Sequence, residues 1–132
     1  MGYVRRRGDD PKNVSETVTS QSSKTIRIGM VGVGYIGQIA HLANYAGMDG
    51  CAVTAIAEIR PGLRDAVAAH YDIPQAFASH EELLRDADLD AVVAVTRRHH
   101  TGPVALDCLK AGKHLLTEKP MAATLEQAEN LA

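Results

Sequence analysis

Apolar positions along this chain recur with two periods in turn, and the alternation predicts one layered domain of strands and helices. Thr25-Ile26-Arg27-Ile28-Gly29-Met30-Val31 is short, apolar and β-branched, which fits a single buried strand. Gln38-Ile39-Ala40-His41-Leu42-Ala43-Asn44-Tyr45 then repeats its apolar positions at helical spacing. Cys51 through Ala57 predicts a second strand, and Pro61 opens a helix to about Tyr71, since the first helical turn needs no N–H there. A short strand is expected over Ile73 to Phe77. Ser79-His80-Glu81-Glu82 is a capping box that starts a helix ending near Asp86. Ala91-Val92-Val93-Ala94-Val95 is unbroken apolar sequence, as a central parallel strand covered on both faces requires. Gly102 through Ala111 predicts a helix stopped by Gly112, and His114 to Thr117 a fifth strand. A second capping box, Thr124 to Gln127, opens a helix running through Ala132. The fold class is α/β. Five strands in the order 3-2-1-4-5, joined by right-handed crossovers, form a doubly wound parallel sheet with its crevice at the carboxyl ends of strands one and four.

At the first of those ends stands Gly32-Val33-Gly34-Tyr35-Ile36-Gly37. A strand, three glycines at these offsets and a helix make the phosphate-binding turn of a Rossmann domain. The first glycine permits the bend, the second admits a pyrophosphate close to the backbone, and the third lets the helix pack on the sheet. Unpaired N–H groups and the positive dipole end of the helix then face the anion. Alone, such a hexapeptide also arises as a plain tight turn. Glu58, 21 positions beyond Gly37 at the end of the second strand, adds the carboxylate expected on the adenosine ribose hydroxyls. Otherwise it is a solvated acid at a strand end.

At 132 residues the chain is long enough for one domain with a real core, and its 45% hydrophobic and 23% charged residues are those of a globular protein. A net charge of −2 argues against general nucleic-acid affinity, and no apolar run approaches a membrane span. Cys51 and Cys108 lie far apart with no metal or disulfide spacing, which fits two reduced thiols in a reducing, cytoplasmic compartment. No metal site is expected. Residues 1 to about 24 are polar and rich in Ser and Thr, and are expected to form a disordered leader. Arg6 stands where a myristoylation signal needs Ser or Thr, and no apolar core follows the arginines as export would need. Residues 25–132 make the nucleotide-binding domain. Its last helix stops without a C-cap or a sixth strand, so the chain is expected to be the front half of a longer protein or a truncated one.

Glu118-Lys119-Pro120 closes the fifth strand at the crevice end, where Lys119 is either a surface lysine or a group facing nicotinamide and substrate. In the second role it would stabilise charge developing on a substrate oxygen. The run Ala111-Gly112-Lys113-His114-Leu115-Leu116-Thr117-Glu118-Lys119-Pro120 resembles the signature of the glucose–fructose oxidoreductase, inositol dehydrogenase and rhizopine-catabolism family (Gfo/Idh/MocA), and the resemblance extends over about residues 25 to 132. It implies an oxidoreductase that moves hydride between NAD(P) and a hydroxyl-bearing carbon of a sugar, polyol or related compound. Lys119 would be the active-site lysine and Glu118 would lie beside the cofactor. Gly32, Gly34, Tyr35, Ile36 and Gly37 would line the pyrophosphate, with Glu58 on the ribose. The family's second domain, which supplies specificity, oligomer contacts and further acid–base groups, is expected to lie outside this chain, and the full-length protein is expected to be a homo-oligomer.

One stretch departs from the family pattern. After the fourth strand the family usually has Thr-Pro-Asn-x-x-His, whereas this chain has Thr96-Arg97-Arg98-His99-His100-Thr101. Thr96 matches and, with Arg97, is assigned to the cofactor side. Thr101 replaces the histidine, and His100 is a possible substitute for it. The arginines either hold a phosphate or carboxylate or are solvated. An ionised Glu58 favours NAD over NADP, while Arg60 and Arg64 offer a countercharge to a 2′-phosphate. His41, His70, His80 and His114 are expected in structural or solvent-facing roles. Two further readings stand beside the enzyme: a stand-alone dinucleotide-binding or sensory module, and a subunit completed by a separate chain.

Overall fold

Five strands, β1 (Ile26–Val31), β2 (Cys51–Ala57), β3 (Gln75–Phe77), β4 (Ala91–Ala94) and β5 (His114–Thr117), form one sheet in the order β3-β2-β1-β4-β5. All four pairings are parallel, as expected. The computed structural model describes residues 24–132, so all of the expected leader except Lys24 lies outside the described residues. The helices are α1 (residues 35–46, π-helical over Gly37–Leu42), α2 (Pro61–His70), α3 (His80–Asp86), α4 (Arg98–Lys110) and α5 (Leu125–Glu129).

The two-residue period of the strands divides the core between the two faces. Val31, Ala55, Ala57, Val92 and Ala94 point one way and pack with Leu83 of α3 and Val104 and Cys108 of α4. Ile28, Met30, Ile56 and Val93 point the other way, towards Leu42 of α1 and Val67 of α2. Gly29 sits on the first face because Leu89 and Leu83 fill its side-chain space; a Cβ there would lie 2.5 Å from Leu89 Cδ1. The β1–β2 register shifts between Ile28 and Gly29, which leaves Thr54 unpaired as a bulge.

Helix ends follow local chemistry. Ser79 Oγ accepts from the Glu82 N–H and Thr124 Oγ1 from the Gln127 N–H, both at 3.2 Å. The return arms of both boxes reach one residue further back than expected, to the N–H groups of Ala78 and Ala123. After α4, Gly112 takes φ +70°, and the Gly112 and Lys113 N–H groups bond to Leu109 and Cys108 carbonyls in a Schellman ending. After α2, Asp72 takes the same left-handed position at φ 54°, and the Ile73 N–H reaches Ala68 O. That ending withdraws Ile73 from the expected third strand, which begins only at Gln75.

Helix α4 begins at Arg98, four residues before the expected start, and carries Pro103 inside it. Gly102 and Pro103 look like a helix opening in sequence, but Gly102 is a contact point. A Cβ there would meet Gln127 Oε1 at 2.8 Å, so the missing side chain lets α5 pack on α4. The last helix is short, ending at Glu129.

Candidate functional site

The strand order reverses direction between β1 and β4, the point at which an open α/β sheet forms its ligand crevice at the carboxyl ends of the strands. The three glycines of the first turn have distinct surroundings. Gly32 bends the chain at φ +85°, and a Cβ on it would lie 2.2 Å from Val95 O. Gly37 packs so closely that a Cβ would lie 2.5 Å from Gly32 O. Gly34 differs: a Cβ there would meet only the Arg60 Nη2, at 3.4 Å, so its open side faces outward. The first helical bond runs from the Gln38 N–H to Gly34 O, which leaves the N–H groups of the residues between them at the helix mouth. Tyr35 and Ile36 expose their side chains there, so what they offer a phosphate is backbone. Bend, open approach and close helix packing are together the cradle that a dinucleotide pyrophosphate needs, and these residues fit it.

Glu58 lies where the spacing placed it, at the end of β2, but it is not a solvated acid. Its side chain is 4% exposed. Oε1 accepts from the Arg60 backbone N–H at 3.1 Å and from Arg60 Nε at 2.7 Å, while Oε2 accepts from the Val33 N–H at 3.2 Å and Arg60 Nη2 at 3.1 Å. Burial pushes the Glu58 carboxyl up, but the guanidinium and the two N–H groups outweigh it and hold it below the ordinary carboxylate value. Arg60, on the outer side, therefore stands between this carboxylate and Gly34. Arg64 turns away to pair with Asp65.

On the other side of the crevice Thr96 Oγ1 shares a hydrogen bond with Thr101 Oγ1 at 3.2 Å, and Thr101 also bonds back to Arg97 O. Thr101, 2% exposed, is an internal residue of α4. Arg97, Arg98, His99 and His100 are all exposed, with the two imidazole rings 4.1 Å apart.

Beyond β5, the Glu118 N–H bonds to Ala94 O, and Lys119 is exposed, its ammonium making no hydrogen bond among the described residues. The Lys119–Pro120 peptide is cis. Glu118 has a partner that sequence reasoning missed: His41 Nε2 lies 2.7 Å from its Oε1. From sequence, His41 has only a structural or solvent-facing role, with no partner named. No local signal marks it, because the two residues are 77 positions apart and meet only once the sheet forms. His80 also has partners, with Nδ1 3.1 Å from Glu81 and Nε2 2.9 Å from Asp107. These three residues offer ligand atoms within 4.8 Å of one another, and the two ring nitrogens face different carboxylates, one on α3 and one on α4.

Known proteins share this architecture. Inositol 2-dehydrogenase 1 of Saccharopolyspora erythraea is 38% identical over 101 residues, covering 76% of this chain and 30% of that protein. Myo-inositol 2-dehydrogenase of Thermotoga maritima is 28% identical over 106 residues, covering 80% of this chain and 31% of its own length. The crystal structure of scyllo-inositol dehydrogenase from Lactobacillus casei with bound NAD(H) and scyllo-inositol superposes with a TM-score of 0.78 at 30% identity, over 82% of this chain and 32% of that one. The chain thus spans about a third of the length of these relatives. Residues 26–132 match the family model of the GFO_IDH_MocA oxidoreductases, described by an NAD-binding Rossmann fold, and the chain belongs to that family.

Proposed function

We propose that this chain is the cofactor-binding and lysine-bearing part of an NAD-dependent oxidoreductase acting on a hydroxyl-bearing carbon of a polyol or sugar. The observation that carries the reading is the placement of exposed Lys119 at the carboxyl end of β5, at the same end of the sheet as the glycine turn. Nicotinamide, when bound, supplies the carbon that takes or gives hydride. The backbone of Gly34, Tyr35, Ile36 and Gly37 would hold the pyrophosphate, and Glu58 with Arg60 the adenosine ribose. Thr96 and Arg97 border the crevice at the end of β4, and Glu118 borders it at the end of β5. Lys119 would donate a hydrogen bond to the substrate oxygen and stabilise its developing negative charge. The inositol dehydrogenases among the relatives support a cyclic polyol as substrate class. The ionised Glu58 supports NAD, since it disfavours a second anion on the ribose. Two free cysteines, Cys51 and Cys108, support a reducing, cytoplasmic setting, with residues 25–132 as the cofactor domain and 1–24 as a leader.

Calorimetric titration of this chain with NADH and NADPH tests the binding step. Saturable heat with NADH is expected, and no heat with either coenzyme at millimolar dose overturns the reading. In the enzyme carrying this domain, Lys119→Met is expected to lower kcat with inositols by about a hundredfold or more while NADH affinity stays within a few-fold. An unchanged kcat removes Lys119 from the chemistry.

A further inference from the structure

The contact between His41 and Glu118 ties the helix after the glycine turn to the loop beyond β5. His41 lies on α1, the helix that starts from the pyrophosphate turn, within the stretch Gly37–Leu42 where the helix widens to π form. Such widened turns redirect side chains and recur at functional sites. Glu118 immediately precedes Lys119. Its two carboxylate oxygens have separate partners, His41 Nε2 at 2.7 Å and the Lys119 backbone N–H at 3.3 Å. An ionised carboxylate only accepts, so the imidazole Nε2 carries the proton and donates it. His41 is 15% and Glu118 30% exposed at the side chain, so this bond is partly shielded from water. The partners come from opposite sides of β4, one on the helix after β1 and the other at the end of β5.

With the adenosine ribose at the β2 end beside Glu58, a dinucleotide crossing the turn must extend its other half towards β4 and β5. We infer that His41 is a positioning residue: by holding Glu118 it sets the Lys119 loop against the nicotinamide half of the cofactor, leaving the adenosine half indifferent to it. This rests on the dinucleotide reading above. A contact that merely braced α1 would affect both halves, because the same helix carries the pyrophosphate turn.

Two ligands separate these cases: NADH, and ADP-ribose, which lacks the nicotinamide ring. For His41→Ala the Kd for NADH is expected to rise about tenfold while that for ADP-ribose stays within about twofold. His41→Gln, whose amide N–H can reach the same acceptor, is expected to restore NADH binding to within about threefold of the parent. Glu118→Ala removes the acceptor without touching α1 and is expected to give the same split, so the test survives if one variant fails to fold. Equal losses for both ligands, or an unchanged NADH Kd, overturn the positioning role. A parent chain that binds ADP-ribose and NADH not at all overturns the dinucleotide reading instead.

Discussion

Arg60 changes what Glu58 can do. Read as residues in a row, the two offer opposite preferences for the ribose: a carboxylate for hydroxyls, a guanidinium for a 2′-phosphate. Folded, the guanidinium binds the carboxylate twice and covers its outer face, so neither group acts alone. Removing the Arg60 side chain uncovers Glu58, which still accepts from the backbone N–H groups of Val33 and residue 60. Arg60→Ala is therefore expected to shift the ratio of NADH to NADPH affinity towards NADH by about tenfold, as competitive titrations would show; a shift towards NADPH would contradict this. Because the Glu58 carboxyl is held below its unfolded value, its contribution to stability is present above that value and is lost as pH falls through the folded one. The position of Glu58 was readable from its distance to Gly37. Its cover was not, since the direction of a long side chain is decided by what surrounds it.

At the level of elements, the caps are the most directly testable features. Ser79→Ala removes the acceptor for the Glu82 N–H and is expected to lower stability by about 1 kcal/mol in urea denaturation. Asp72→Gly acts in the opposite direction. Asp72 holds a left-handed conformation at φ 54° that a side chain disfavours, so glycine there is expected to raise stability by about 0.5–1 kcal/mol. A loss would show that the Asp72 side chain contributes something the backbone does not. Both capping boxes, the proline start of α2 and the glycine stop of α4 were visible beforehand, because each depends on residues within one turn. The early start of α4 was hidden because Gly102 is required by Gln127 of a later helix, not by the chain around it.

Across the whole molecule, charge is arranged at both ends of the sheet. At the end away from the crevice Asp90 accepts from the Arg27 backbone N–H at 2.9 Å and from its Nε and Nη2 at 3.0 Å, and it also pairs with Lys24. Arg27 bonds to Asp88 as well. These donors, Arg27 first, hold the Asp90 carboxyl far below its ordinary value. A carboxyl depressed in the folded state stabilises above its unfolded value, so the parent should exceed Asp90→Asn in stability at neutral pH. The difference is expected to close as pH drops below about 3.9, where the unfolded aspartate takes up its proton. Chemical denaturation at a series of acidic pH values checks it, and a gap that persists or widens in acid would refute the assignment.

What the sequence determined by itself was the succession of strands and helices, the glycine turn, the carboxylate after β2 and the lysine after β5. Periodicity, turn chemistry and capping act between near neighbours, and those neighbours are present in the chain whatever the fold. Only the tertiary structure decided that His41 meets Glu118, that Arg60 closes over Glu58 and that Thr101 is buried in a helix. These contacts depend on strand order and on side-chain direction across the crevice, and both are settled when the sheet brings distant segments within reach of a hydrogen bond.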